Sequence, residues 1–236
     1  MRNIYEFGEI PVEVYHRGTY FKEVCKDYLA EEKAPMFSIR ATDEDLAFEQ
    51  KHAEGDTKFS KSYLEYIALY RLFCEQAVSQ GVFLCHGSVL EMDGNAYMFT
   101  APSGTGKSTH TRLWRETFGE RVTMINDDKP LLRVKEDGIY AYGTPWDGKH
   151  HLSTNGNAKL KGICFLKQAK ENRIRLIKTE EILPLIMNQV YRPQTVEGML
   201  KTMDFVNQLI NRVPMYVLEC NISEDAAKLA YETMSK

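Results

Sequence analysis

Hydrophobic and polar positions change period several times along the chain, and each change marks an element. Short β-prone runs predict strands over residues 4–7 and 12–15, joined at Gly8 and Pro11. Residues 19–30 read as a short helix, 36–40 as a strand, 43–52 as a polar helix and 53–58 as a loop. The strongest helical signal is 60–80. There Tyr63, Ile67, Tyr70, Phe73, Cys74, Ala77 and Val78 recur at three- and four-residue spacing, and Leu64, Ala68 and Leu72 widen the stripe. This pattern predicts a largely buried helix, ended by Gly81.

Residues 82–92 and 96–100 read as a hairpin across Asp93-Gly94-Asn95. A helix over 109–118 follows, with Leu113, Trp114 and Phe118 at helical spacing and Gly119 at its end. Residues 121–126 form a short apolar strand that leads into Asp127-Asp128, closed by Lys129-Pro130. A second hairpin spans 131–135 and 139–142 around Asp137-Gly138. Gly143, Pro145 and Gly148 make 143–151 a loop. Strands are predicted over 160–166, 174–178 and 215–220. Thr179 reads as the cap of a helix to residue 190, with Pro184 near its start. Residues 195–211 read as a helix with Met199, Leu200, Met203, Val206 and Leu209 on one face, and Ser223 as the cap of a last helix through 234.

Strands interspersed with helices put the chain in the α/β class. The expected core is a mixed β-sheet with flanking helices, because the hairpin over 82–100 needs an antiparallel pair. Helices 60–80 and 195–211 are expected to pack on it. The length of 236 residues fits one domain, 1–236, with an N-terminal α/β portion over 1–80 packed on a core over 81–236.

Composition narrows the function. With 43% hydrophobic and 27% charged residues the chain is an ordinary globular protein. A formal net charge of −3 argues against a nucleic-acid partner. No apolar run is long enough for a membrane span, and the N-terminus has no signal core, so no membrane partner is expected. Cys25, Cys74, Cys85, Cys164 and Cys220 are odd in number and form no C-x-x-C pair, which points to reduced thiols and a cytoplasmic location.

The candidate chemistry begins after residues 96–100. Ala101, Pro102, Ser103, Gly104, Thr105, Gly106, Lys107 and Ser108 match the phosphate-binding loop G-x-x-x-x-G-K-[ST], with Ala101 in place of the first glycine, and Thr109 follows as a further nucleotide-binding candidate. A strand before the motif and a helix after it are the context it requires. The glycines let backbone N–H groups approach phosphate oxygens, Lys107 reaches the phosphates, and the Ser108 hydroxyl binds Mg²⁺. The expected ligands are therefore ATP and Mg²⁺.

Such a site needs an acid at the end of a neighbouring strand, and Asp127-Asp128 stands there. If the strand runs on to Asp128, the two carboxylates point to opposite sides. His86 is a candidate to orient one of them. Lys149, in the loop 143–151, is a candidate to stabilise charge on a transferring phosphoryl group, and Arg192 is a weaker one. His110 reads as structural. His150-His151 are adjacent rather than at metal-ligand spacing, so no zinc site is expected.

The run from His86 to Asp128 resembles the HPr kinase/phosphorylase family and its relatives with the phosphoenolpyruvate carboxykinase type of phosphate-loop fold. His86-Gly87, the loop from Ala101 to Ser108, and Asp127-Asp128 occur in the family's order. The resemblance implies a phosphate-loop kinase fold and transfer of the γ-phosphoryl of ATP to a serine hydroxyl. It implies Asp128 as metal ligand and Asp127 as general base, with His86 nearby. The glycine-rich second signature of the bifunctional HPr enzymes is absent, so the likeness is nearer to the small HPr-kinase-like proteins. The implied acceptor is a hydroxyl of a peptide, protein or small molecule, and the family's habit makes a homo-oligomer an expected partner class. The competing readings are a nucleotide-binding regulatory module without turnover and a carboxykinase-like lyase. The second would need additional arginines that are not found.

Overall fold

The computed structural model describes every residue except Glu54, Asp56 and Ser103, and the backbone alone of Lys149. The chain divides into two compact units, Met1–Gln80 and Gly81–Lys236.

In the first unit β1 (Arg2–Phe7) pairs antiparallel with β2 (Ile10–Tyr15), and β3 (Phe37–Arg40) joins β2 in parallel. The segment expected as one helix over 19–30 is broken. Helix α1 (Tyr20–Val24) gives way to a 3₁₀ turn, Lys26–Tyr28. The physical reason lies in β1: Leu29 forms a bridge with Tyr5, and the Ala30 N–H donates to the Ile4 carbonyl, so the chain must extend there. Helix α2 (Asp43–Lys51) opens with a capping box between Thr42 and Asp45. Helix α3 (Lys61–Ala77), capped by the Ser60 hydroxyl, packs on α1, α2 and β3 of its own unit. Its buried stripe meets Phe7 through Phe73, with ring centroids 5.4 Å apart.

Among its described residues the second unit is a curled mixed sheet of nine strands with four α-helices, so the α/β class and the mixed sheet are both present. Strands β4 (Val82–Leu84), β5 (Ser88–Met92), β6 (Asn95–Thr100), β7 (Val122–Asn126), β8 (Leu131–Lys135), β9 (Gly138–Tyr142) and β10 (Asn157–Gln168) follow the order β4-β8-β9-β10-β6-β5-β7. Strand β12 (Met215–Cys220) runs parallel to β10, and β11 (Arg173–Leu176) lies antiparallel to β12. The twelve-residue β10 exceeds the predicted 160–166 because it serves three partners: β9 at its start, β12 towards its end and β6 along its middle.

The single strand expected over 82–92 is two strands. Between them, Cys85, His86 and Gly87 turn their N–H groups to Pro130, Gln189 and Asp128 instead of to one ladder. A Cβ on Gly87 would stand 2.9 Å from the Phe99 carbonyl oxygen, so only glycine passes here. The hairpin turn is as read: Asp93 and Gly94 both have positive φ, and Leu90 faces Tyr97 across β5 and β6.

Helix α4 (Lys107–Phe118) and helix α7 (Glu224–Met234) pack together over a core of Tyr97, Phe99, Trp114 and Ala230. Fully buried Trp114 is the largest side chain in it, and its truncation to alanine should cost about 3–5 kcal/mol. Helix α5 (Thr179–Met187) packs on α6 (Val196–Arg212), whose Phe205 stacks on Phe83 of β4 at 4.0 Å. The cap of α5 is Lys178 rather than Thr179, and the helix ends at Met187, short of the expected 190. Ser223 does precede α7, but its hydroxyl bonds Asn221 and Asn172 and leaves the helix uncapped by a side chain.

Candidate functional site

Strand β6 ends at Thr100, and the next six residues turn the chain into α4. Gly104 and Gly106 have φ of +76° and +114°, and a Cβ at either would meet nothing within 4 Å. Glycine is required there by the backbone angle and not by lack of space. Gly106 is the N-cap residue of α4 and offers no side-chain cap, so the helix starts two residues before the expected 109, with its first N–H groups free of a capping side chain. The Thr105 N–H donates to the Pro102 carbonyl and tightens the loop. Ser108 is exposed on the first turn, and Thr109 is half-buried beside it. Ser103 lies outside the described residues.

Lys107 is half-buried and donates from Nζ to the Ala101 carbonyl at 2.9 Å. Burial lowers its pKa, while the charges of Asp128 and then Asp127 push it back up. The lysine and both acids therefore share one electrostatic neighbourhood.

The acids follow β7 directly, but β7 ends at Asn126, so they sit in a bend and not on a continuing strand. Asp127 is buried. Its backbone carbonyl and its carboxylate both accept from the Ser88 hydroxyl, at 2.9 and 3.0 Å. Burial raises its pKa, and the hydroxyls of Ser88 and Ser108 partly offset that rise. Asp128 is half-buried, 3.1 Å from His86 Nε2 and 2.9 Å from Lys129 Nζ. Burial alone would push its carboxyl up, but the bonds from His86 and Lys129 outweigh it and hold the group well below the usual carboxylate range. His86 therefore bonds Asp128, one of the two acids that it was a candidate to orient.

His86 is itself fixed by its backbone. Its N–H donates to the Gln189 carbonyl at 2.7 Å, and the Thr100 hydroxyl lies 3.0 Å from its carbonyl. A cavity of about 830 Å³ opens beside the glycine-rich loop before α4, between Thr105, His86, Phe165, Leu185 and Gln189. The other candidates stand apart from this cluster or outside it. The side chain of Lys149 lies outside the described residues, and Arg192 is exposed beyond the Cys85–Val190 bridge. His110 is buried on α4, where burial lowers its pKa to about 4 and Nε2 accepts from the Trp114 indole, as a structural histidine would.

Ser88 and Asn126 were not singled out by sequence, yet both hold the acid bend. The Asn126 side-chain carbonyl accepts from the N–H groups of Asp128 and Lys129, an Asx-type turn. An asparagine just before an acid pair and a proline was the available signal. Asp147 was also missed. It is buried, with His151 Nδ1 at 3.1 Å and the Ser153 hydroxyl at 2.8 Å.

Among the described residues no three His, Cys, Asp or Glu side chains converge as a metal site. The donors at the loop, one hydroxyl and one or two carboxylates, fit Mg²⁺ bound mainly through phosphate oxygens and water.

No protein-family model matches the chain, and no curated protein matches it. Among solved structures it is similar to the Hpr(Ser) kinase/phosphatase from Coxiella burnetii. Identity is 14%, the TM-score is 0.37, and the match covers 64% of this chain and 87% of that chain. That likeness is distant. No helix among the described residues is long and apolar enough to cross a membrane.

Proposed function

We propose that the chain is an ATP- and Mg²⁺-dependent phosphotransferase of the phosphoenolpyruvate carboxykinase/HPr kinase type, acting on a hydroxyl, with serine of a peptide or protein as the acceptor. One observation carries the reading: α4 starts at Lys107 without a side-chain cap, behind a loop turned by Gly104 and Gly106, and the Lys107 ammonium folds back onto the Ala101 carbonyl of that loop. A phosphate placed at the helix start would meet free N–H groups and the lysine together.

Ser108 and Asp128 would hold Mg²⁺, which when bound neutralises charge on the phosphate oxygens. Asp128 suits that role because His86 and Lys129 keep it ionised. Asp127 would accept the proton of the acceptor hydroxyl. Its burial favours the protonated form, which makes it a stronger base than an exposed aspartate. Lys107 orients and compensates the phosphates, and His86 keeps Asp128 in place.

The test is incubation with labelled ATP and serine-containing peptides, with Lys107→Ala as the comparison. Label should appear on serine with the wild type and vanish with Lys107→Ala, which should also bind ATP more weakly. Tight ATP binding without any transfer would favour a regulatory module instead. Transfer by Lys107→Ala at the wild-type rate would end the proposal.

A further inference from the structure

We propose that Asn126 is a positioning residue that locks the acid bend and the loop of residues 143–156 into one arrangement; this rests on the phosphotransfer reading of the same site. Asn126 is the last residue of β7 and has no solvent exposure. Its Oδ1 accepts from the backbone N–H of Asp128 at 2.9 Å and of Lys129 at 2.7 Å. Those two bonds bend the chain immediately after the strand. Pro130, which has no N–H to place, follows the bend.

The other end of the same amide faces the loop. Nδ2 donates to the Thr144 carbonyl and to the Thr144 hydroxyl oxygen, both at 3.0 Å. The Thr144 hydroxyl in turn donates to the Lys129 carbonyl at 2.9 Å. Acid bend, amide and Thr144 thus close a ring of hydrogen bonds. The far side of the loop is pinned to the same strand. The Thr154 N–H donates to the Ile125 carbonyl at 3.2 Å, and its hydroxyl to the Met124 carbonyl at 3.1 Å. Between these anchors Gly148 stands against the acid: a Cβ on it would lie 3.3 Å from the Asp128 Cβ. Where the loop sits therefore decides what space is left beside Asp128.

A side-chain amide carries an acceptor and a donor on one short rigid plane. Aspartate would keep the bonds to Asp128 and Lys129 but set an oxygen against the Thr144 carbonyl. Alanine would lose both ends. A residue that merely fills the core would act through volume, and its loss would loosen the whole unit.

Amide hydrogen exchange and calorimetric ATP binding, each with and without Mg²⁺, separate the two cases in the full chain. In Asn126→Ala the amides of Asp128, Lys129 and residues 143–156 should lose protection while those of β6 and α4 stay as in the wild type. ATP affinity without metal should stay near wild type. The gain in affinity on adding Mg²⁺ should fall by about 10–100-fold, the usual cost of losing a partner behind a metal ligand. Thr144→Val, which keeps volume, should expose the loop but not the bend, and it gives the readout if Asn126→Ala does not fold. Protection lost evenly across Gly81–Lys236, or an undiminished Mg²⁺ gain in folded Asn126→Ala, would overturn the proposal. A wild type whose ATP binding ignores Mg²⁺ would instead sink the phosphotransfer reading, and the exchange pattern would still test the lock by itself.

Discussion

Asp127 and Asp128 are neighbours in sequence with opposite surroundings. Around Asp127 the dominant influence is burial, softened by the Ser88 and Ser108 hydroxyls; around Asp128 the bonds from His86 and Lys129 outweigh burial. The same side chain is thereby kept closer to neutral at one position and ionised at the next. If Asp128 serves the metal, Asp128→Asn should weaken Mg²⁺-dependent nucleotide binding. Asp127→Asn should bind Mg-ATP near normally and lose turnover by about 10²–10⁴-fold, the usual contribution of a general base. A base works deprotonated, so activity should rise with pH through the raised pKa of Asp127. That acid limb should be shifted upward from the ordinary aspartate value and disappear in Asp127→Asn. Titration of Mg-ATP into both variants checks the division of roles: a greater binding loss in Asp127→Asn would reverse it.

At the scale of elements, α2 shows how one carboxylate joins two helices. Asp45 accepts from the Thr42 N–H at 2.9 Å and from Arg71 of α3 at 2.6 Å. Burial pushes its pKa up, but Thr42 and Arg71 outweigh burial and the net shift is downward. A depressed folded pKa gives stability that is present above the unfolded value near 3.8 and is lost as pH falls through the folded one. Asp45→Asn should therefore cost about 0.3–1 kcal/mol at neutral pH, the range for a negative charge in the first turn of a helix. The difference from wild type should shrink below the ordinary aspartate range. Urea midpoints at neutral and strongly acid pH measure this, and a difference independent of pH would rule out the charge as its source. Elements governed by neighbours in sequence were legible in the chain itself. The Asp93-Gly94 turn, the stripe of α3 and the glycine turn before α4 all follow from local angles and spacing. The break between β4 and β5 was not legible, because it is made by Pro130, Gln189 and Asp128, far along the chain. For the same reason Lys107, Ser108 and the acid pair stand out as a pattern in the sequence, whereas Ser88 does not. Ser88 acts through a bond to Asp127, 39 residues away, and no local pattern encodes such a partner; Asn126 joins a local turn onto Asp128 and Lys129 to a bond with Thr144 18 residues on, and only the turn had a signal in the sequence.

For the whole molecule, the division at Gln80 and Gly81 has a functional consequence. Every group assigned to phosphate, metal or proton lies in Gly81–Lys236: His86, the loop from Ala101 to Thr109, and the two acids. So do the residues that hold them, Ser88, Asn126, Lys129 and Thr144. The first unit has its own sheet, β1-β2-β3, and its own core, with Tyr5, Phe7, Phe21 and Phe73 fully or almost fully buried. Affinity for nucleotide should then be a property of the second unit, while choice of acceptor is open to contributions from both the first unit and the loop over 143–156. A chain of residues 81–236 should bind Mg-ATP with nearly the affinity of the full protein, and Lys107→Ala in that fragment should remove the binding. Circular dichroism establishes whether the fragment is folded, and calorimetry reads the affinity. A folded fragment that fails to bind Mg-ATP would mean that the nucleotide site needs residues from Met1–Gln80, and the assignment of the site to the second unit would fall.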